Sequence, residues 1–397
     1  MPFLLLLTFI IMLFANPALL VPSLEAVRPA QLAGISAMAI LLMQKTVSRE
    51  RIQFVWPESS LMLGLFGAMA VSCIGAFWPG HAFEATLDFL KIGIIYFLIL
   101  NCVESERRLW ITSAILVAAG TIPALGTLRN YAAGSFIEGN RAAWIGTFAN
   151  PNDMAYSLVL LLPLALHFGG RVNWFAKPLV WGVIAIYIAA IFATHSRGGL
   201  LGLFAVLIVF GLRQPGASSR LLVLCALVAG VVFTAFYWTR DVGFNNLGSD
   251  FTVHQRLETI RSGLKMFLDH PIFGVGIACS IVAWPLYAPS TIDFRGALVT
   301  HNTIVEALGE TGIVGFSFFI ALIAAALFHA RQLQKFHSGS DPLAGYGTAF
   351  EGSLVGFVVC GLSGGYMVSW FPYIIIGLIS AATLIAKQNQ EAYAVRS

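Results

Sequence analysis

Residues 300–328 read THNTIVEALGETGIVGFSFFIALIAAALF, and this stretch decides the fold class of the chain. From Thr303 onward it is long and apolar enough to cross a bilayer, since about 20 apolar residues in a helix span the hydrocarbon core. Three ionisable residues stand at its start: His301, Glu306 and Glu310. Ionisable groups are costly at the mouth of a membrane span, so they mark a candidate functional site.

The composition extends this interpretation to the whole chain. The 397 residues are 58% hydrophobic and 11% charged, and the net charge of +4 gives no indication of a nucleic-acid partner. Long unbroken apolar runs favour helices over the alternation of a β-barrel, so we predict an all-α polytopic membrane protein with about twelve transmembrane helices. The predicted spans are 3–21, 29–43, 61–79, 84–102, 109–125, 153–169, 178–194, 199–212, 221–238, 303–328, 347–364 and 368–386.

The distribution of Lys and Arg predicts a multi-pass protein of a bacterial inner membrane with both termini inside. We expect a single integral membrane domain over 1–397. Between the ninth and tenth spans, residues 239–300 form one large periplasmic loop, and loops of that length usually have structure of their own. Apolar residues recur in it at three- and four-residue spacing from Val253 to Leu268, which predicts a helix that ends before Pro271.

Arginines mark the outer face. Arg197 precedes Gly198 and Gly199, which we expect to form a sharp turn between two spans. Arg256 lies on the predicted loop helix, with Arg261 on the other side of its apolar stripe. Guanidinium groups bind phosphate oxygens in a bidentate manner, so two of them can stabilise a diphosphate leaving group without a metal. Taken alone, each arginine also fits the simpler role of an anchor at the membrane interface.

His301 stands near a helix N-terminus, where the dipole disfavours the imidazolium and leaves the neutral ring that a general base must be. Asn302 or Thr300 is expected to cap the helix or to orient the ring. Glu306 and Glu310 lie one turn apart on one face. A buried acid can contact substrate or pair with an arginine to hold the fold, and the sequence leaves both roles open.

Three blocks of sequence carry a resemblance to a known family. They are Gly146–Ala155, Ser196–Gly202, and Asp269–Gly276 followed by His301–Asn302 and Glu310–Gly312. In their order, and on a scaffold of many spans with one large outer loop, they resemble the O-antigen ligase family, which shares a fold with O-antigen polymerases.

The resemblance implies a GT-C-like fold and a metal-independent, inverting transfer that uses no cofactor. The implied donor is an undecaprenyl-diphosphate-linked glycan on the periplasmic face, and the implied acceptor is a sugar hydroxyl of lipid A-core. By the same resemblance Arg197 and Arg256 bind the diphosphate, Arg141 is a further donor-binding candidate, and His301 activates the acceptor hydroxyl. Supporting roles fall to Asn302, Glu306, Glu310 and Arg261. The outer loops contain no Asp-x-Asp pattern of a metal-bound nucleotide sugar.

Other functions fit parts of the pattern. An O-antigen or exopolysaccharide polymerase uses the same donor chemistry with a lipid-linked acceptor. A protein O-oligosaccharyltransferase is less expected, since such enzymes usually carry an extra domain. A lipid-linked oligosaccharide transporter would place polar groups through the membrane midplane and often show repeated halves. The arginines and His301 gather at one face, which favours an enzyme.

Overall fold

The computed structural model describes residues 1–24, 27–137, 139–213, 251–288, 298–336 and 342–396, together with the positions 221, 223–225, 227, 228 and 230. The predicted span at 221–238, apart from those few positions, lies outside the described residues. The same holds for 239–250 and 289–297 of the predicted periplasmic loop.

The described chain is built from α-helices. They are α1 (Pro2–Ala15), α2 (Pro17–Leu20), α3 (Pro29–Val47), α4 (Glu58–Ser72), α5 (Pro79–Cys102), α6 (Glu106–Ala132), α7 (Pro151–Arg171), α8 (Lys177–Ala193), α9 (Arg197–Arg213), α10 (Phe251–Asp269), α11 (Ser280–Tyr287), α12 (Thr303–Phe336), α13 (Pro342–Gly361) and α14 (Trp370–Arg396).

Seven of the described helices are long and apolar enough to cross a membrane, as judged by length and composition. They fall on α3, α4 with the turn that follows it, α6, α7, α12, α13 and α14; α1 and α8 are shorter apolar helices. The predicted all-α polytopic membrane fold is therefore confirmed. The expected total of about twelve spans stays a prediction, because part of the chain is not described.

The helix predicted within the large loop is present as α10, which ends at Asp269, two residues before Pro271. Pro271 cannot donate a backbone hydrogen bond, which explains why the helix stops there. α10 packs against α12. Its glycine at 263 permits a close crossing, since a Cβ there would lie 2.5 Å from a Val305 methyl carbon. Helix α10 is thus packed closely against the helix that begins beside His301.

Helix α12 is broken at Gly312, where φ is 62° and ψ is −166°, a conformation that favours glycine. The segment 271–276 fills the break. Its Val275 and Gly276 N–H groups donate to the carbonyls of Gly309 and Glu310 over 2.9 and 3.1 Å. In return, Ile313 N–H donates to the Pro271 carbonyl over 2.8 Å. Peptide groups released by the break are therefore paired by the segment that directly follows α10.

An ion cluster ties α9, α12 and α13 together at the end of the bundle away from His301. Glu351 is 2% exposed. Its carboxylate accepts two hydrogen bonds from Arg213, over 2.6 and 2.8 Å, and one from Arg331 over 2.7 Å. Bidentate, charge-assisted pairs of this kind are directional and strong, so they fix the register of the three helices.

Candidate functional site

The first turn of α12 positions His301. The Asn302 side-chain oxygen accepts hydrogen bonds from the N–H groups of Ile304 and Val305 over 3.0 and 3.1 Å, and its amide donates to the Leu362 carbonyl over 3.2 Å. Asn302 is therefore the residue that caps the helix, as one of the two expected candidates. His301 directly precedes this capped end and is half-buried.

The α13–α14 loop, residues 362–369, wraps around the same turn. The Thr303 hydroxyl donates to the Gly364 carbonyl over 2.7 Å and accepts from the Tyr366 N–H over 3.0 Å. The Glu306 carboxylate accepts from the Met367 N–H over 3.1 Å. In this structure Glu306 holds the loop against α12.

The charge of Arg256 on α10 acts on His301 at the start of α12, the helix against which α10 packs. Burial and the positive charge of Arg256 lower the pKa of His301 to about 4. The imidazole is therefore neutral at physiological pH and has a nitrogen lone pair for a proton. The structure brings together a permanent cation and a neutral base that come from distant parts of the sequence.

Arg141 joins two of the sequence blocks. It is 8% exposed, and its guanidinium donates to the Asn152 side-chain oxygen over 2.6 Å and to the Thr194 carbonyl over 3.2 Å. The Ser196 hydroxyl donates to the same Asn152 oxygen over 2.9 Å. The Asn152 side chain, in the block that begins α7, is therefore hydrogen-bonded to Ser196 in the block that begins α9.

Arg197 is the first residue of α9. The expectation of a sharp glycine turn there is wrong, because Gly198 and Gly199 lie inside the helix and the left-handed residue is His195, with a φ of 47°. Gly198 instead permits a close approach: a Cβ there would overlap the Ser363 hydroxyl. The Cys360 thiol donates to the Gly198 carbonyl over 3.5 Å. Arg197 thus starts a helix that packs on the same α13–α14 loop that wraps around α12.

Tyr366, in that loop, links the arginine groups electrostatically. It is 5% exposed and stacks on Tyr156 with ring centroids 4.0 Å apart. Burial and the charge of Asp153 raise the pKa of its hydroxyl, while the charges of Arg256 and Arg141 act in the opposite direction. The charges of Arg141, Arg256 and Asp153 therefore all act on one buried hydroxyl.

Sequence reasoning missed Tyr366 and Asp153. Asp153 stands inside the quoted Asn-Pro-Asn-Asp block, which was the available signal. Tyr366 follows a Gly-Gly pair between two apolar runs, and such a pattern by itself indicates only a loop.

Two of the proposed supporting residues lie in other settings. Glu310 is 4% exposed and accepts hydrogen bonds from the Ala278 N–H over 2.8 Å and from the Ser280 hydroxyl over 2.6 Å. These bonds hold the loop between α10 and α11 against α12. Arg261 is largely exposed and pairs with Glu258 one turn away on α10. Within the described residues, no group of three or more His, Cys, Asp or Glu side chains is placed to hold a metal ion.

Comparison with known proteins bears on this arrangement. The family model for O-antigen ligase matches residues 182–320. This match confirms the resemblance to the O-antigen ligase family. The matched segment contains Arg197, Arg256 and His301, whereas Arg141 precedes it.

Two curated proteins are similar over much of their length. The chain is 22% identical over 286 residues to the exopolysaccharide production protein ExoQ of Rhizobium meliloti (strain 1021), with 67% of this chain and 64% of that protein aligned. It is 24% identical over 341 residues to the teichuronic acid biosynthesis protein TuaE of Bacillus subtilis (strain 168), with 77% of this chain and 67% of that protein aligned. The alignment thus spans just under two thirds of the length of ExoQ.

Proposed function

We propose that this protein is a membrane glycosyltransferase that moves an undecaprenyl-diphosphate-linked O-antigen glycan to a sugar hydroxyl of lipid A-core. The transfer takes place at the periplasmic face of the bacterial inner membrane. The observation that carries the proposal is that His301 directly precedes the capped start of α12, the helix against which the Arg256-bearing helix α10 packs. One side chain offers permanent positive charge for a diphosphate, and the other offers a neutral nitrogen for a proton. The O-antigen ligase family match over the segment that holds both residues supports the same reaction class.

In the proposed step, His301 accepts the proton of the acceptor hydroxyl. The hydroxyl oxygen forms a bond to the anomeric carbon of the donor sugar from the side opposite the diphosphate, so the configuration inverts. The bond between that carbon and the diphosphate oxygen breaks, and its electron pair leaves on the lipid diphosphate. Arg256 and Arg197, with a further contribution from Arg141, stabilise this developing charge.

The position of Arg256 couples donor binding to the base. In the free protein its charge helps to lower the pKa of His301. A bound diphosphate offsets that charge, so the pKa of His301 rises and the imidazole becomes a stronger base only when the donor is in place. The acceptor hydroxyl is therefore deprotonated only when the donor glycan is bound and can be attacked.

The proposal is tested with the full chain in proteoliposomes that contain an undecaprenyl-diphosphate oligosaccharide and lipid A-core. We expect His301→Gln to lower the transfer rate about 10²–10⁴-fold, because a general base contributes that much. We expect Arg256→Gln to lower it about 10²–10³-fold, as for the loss of one preorganised group that stabilises charge. The matched control is Arg107→Gln, an exposed arginine at the far end of the bundle, which should leave the rate unchanged.

Wild-type transfer by a folded His301→Gln protein would refute the base assignment. Equal rates for Arg256→Gln and Arg107→Gln would refute the role of Arg256 in binding the diphosphate.

A polymerase is the second candidate, and the names of the relatives favour it. ExoQ and TuaE are described by exopolysaccharide production and teichuronic acid biosynthesis, and neither name refers to lipopolysaccharide. A polymerase would use a second lipid-linked glycan as acceptor at the same site. Supplying the proteoliposomes with each acceptor in turn separates the two: products on lipid A-core support the ligase, and longer lipid-linked chains support the polymerase.

A further inference from the structure

The end of the bundle opposite the candidate site contains a cavity of about 680 Å³. Its walls come from the residues just before α4, from the second half of α12 and from the second half of α14. His329, in the wall, lies roughly 40 Å along α12 from His301 at about 1.5 Å per residue. The cavity is therefore separate from the candidate site, and the proposed transfer does not use it. A volume of this size accommodates a small organic ligand.

One part of the cavity is polar and favours an anion. Besides Trp56, five hydrogen-bonding side chains line it: His329, Gln332, Thr383, Lys387 and Gln390. Lys387 supplies positive charge, and none of the described residues that line the cavity is a carboxylate. The charge of the lining is thus complementary to a phosphate group.

Glu58 orients the histidine in this lining. It is the first residue of α4 and is fully buried, and its Oε1 atom is hydrogen-bonded to Nδ1 of His329. This hydrogen bond fixes the orientation of the imidazole ring in the cavity wall. The imidazole is therefore held in place by the fold before any ligand binds.

The rest of the wall is apolar, and part of it is exposed. Ala324 and Ala325 line it together with Phe328, which is 59% exposed. Trp56, at the rim, is 75% exposed, as expected for an aromatic residue at the level of lipid headgroups. A free phosphate ion would leave this apolar wall in contact with water, whereas a phospholipid would cover it.

We propose that this cavity binds an anionic phospholipid from the leaflet at the end of the bundle opposite His301. The phosphate contacts the ammonium of Lys387. The headgroup hydroxyls contact Gln332 and Gln390, and an acyl chain lies along the α12 wall. The inference does not depend on the transfer reaction.

The test uses the purified full chain and native mass spectrometry with dioleoylphosphatidylglycerol, dioleoylphosphatidylcholine or inorganic phosphate. We expect the wild-type protein to retain one phosphatidylglycerol and to retain phosphatidylcholine about fivefold less. Lys387→Gln should lower phosphatidylglycerol retention about fivefold, since each Lys near an anionic lipid surface contributes about that factor. Lys177→Gln, an exposed lysine at the same end but outside the cavity, is the matched control and should have no effect.

A second variant avoids the buried Glu58–His329 pair. Ala324 is exposed in the cavity wall, so Ala324→Trp should fill the cavity without disturbing the core and should also lower lipid retention. Equal retention of the two lipids, or wild-type retention by Lys387→Gln and Ala324→Trp, would overturn the proposal. Displacement of the lipid by an equal concentration of inorganic phosphate would show that the site recognises a free anion, which would also overturn it.

Discussion

His301 occupies a position where two influences on an imidazole act in the same direction. Burial removes solvent from the charged ring, and Arg256 adds a like charge beside it; together they lower the pKa to about 4. An ordinary histidine at the same helix end would be partly protonated near its usual pKa of 6.5. The setting therefore keeps His301 neutral at the pH of transfer.

This setting makes a prediction about pH dependence. The profile of kcat/KM reports the free protein, so its acid limb should lie near pH 4 rather than near 6.5. The profile of kcat reports the complex, in which the donor diphosphate offsets Arg256, so its acid limb should lie at higher pH. In Arg256→Gln the acid limb of kcat/KM should move to higher pH, because the positive charge that helps to lower the pKa of His301 is gone. In Arg256→Lys that charge remains, so the acid limb should stay at low pH. Coinciding limbs for all three proteins would contradict the assignment.

A second residue-level prediction concerns Asn152. Its side-chain oxygen accepts from both Arg141 and Ser196. Asn152→Ala should destabilise the fold by about 1–3 kcal/mol, because buried donors lose their acceptor, and should raise the KM for the donor. Asn152→Asp keeps an acceptor oxygen and should restore most of both properties. Thermal unfolding in detergent and donor titration measure the two effects, and a KM unchanged in the alanine variant would contradict a role for Arg141 at the donor.

Among the elements, α12 has the most unusual structure. A continuous helix through Gly312 would have been the simplest span, yet the helix breaks and accepts the segment 271–276 as a partner. Glu310 adds bonds to Ala278 and Ser280 on the same side. Arg256 lies on α10, which directly precedes this segment. Its position relative to His301 therefore depends on the pairing of residues 271–276 with α12.

The break gives a prediction at this level. Gly312→Ala should destabilise the protein by about 1–3 kcal/mol, because an alanine at that φ and ψ is strained. Its Cβ would also overlap the Ile272 backbone. Gly67→Ala is the control, since Gly67 lies in α4 with nothing within 4 Å of its Cβ position. We expect a lower melting temperature and lower transfer activity only in the Gly312 variant, and equal melting temperatures would count against the strained join.

Across the whole molecule, the candidate site and the lipid cavity lie at opposite ends of one helical bundle, and the basic residues favour the cavity end as cytoplasmic. Ser135 and Ser48 are exposed at the two ends, so Ser135→Cys and Ser48→Cys report orientation in a Cys225→Ser background. A membrane-impermeant maleimide added to spheroplasts should label position 135 and should label position 48 only after permeabilisation. The reverse pattern would place the candidate site in the cytoplasm and would end the proposed use of a periplasmic donor.

The sequence predicted the helices well where apolar runs have clear ends. The predicted spans 178–194 and 199–212 differ from α8 and α9 by one or two residues at each end. The join at Gly312 was not predictable, because a glycine in an apolar run gives no sign of which distant segment will pair with it. Asn152 was quoted in a block, but its contact with Arg141 and Ser196 depends on the fold bringing α7 and α9 together.

The setting of Tyr366 was likewise not predictable from the sequence. The charged residues that act on its hydroxyl, Arg141, Asp153 and Arg256, lie more than a hundred residues away in the chain. The sequence named the chemical groups of the candidate site, and the packing of α7, α9, α10 and α12 decides which of them meet.

The broken helix also constrains how the protein is made. The N–H groups of Ile313 and Val314 donate to the carbonyls of Pro271 and Ile272, in a stretch that is synthesised earlier. Bare peptide groups are too costly to leave in hydrocarbon. We therefore expect α12 to reach its final paired state in lipid only after residues 271–276 have packed against it, which couples the folding of the two segments.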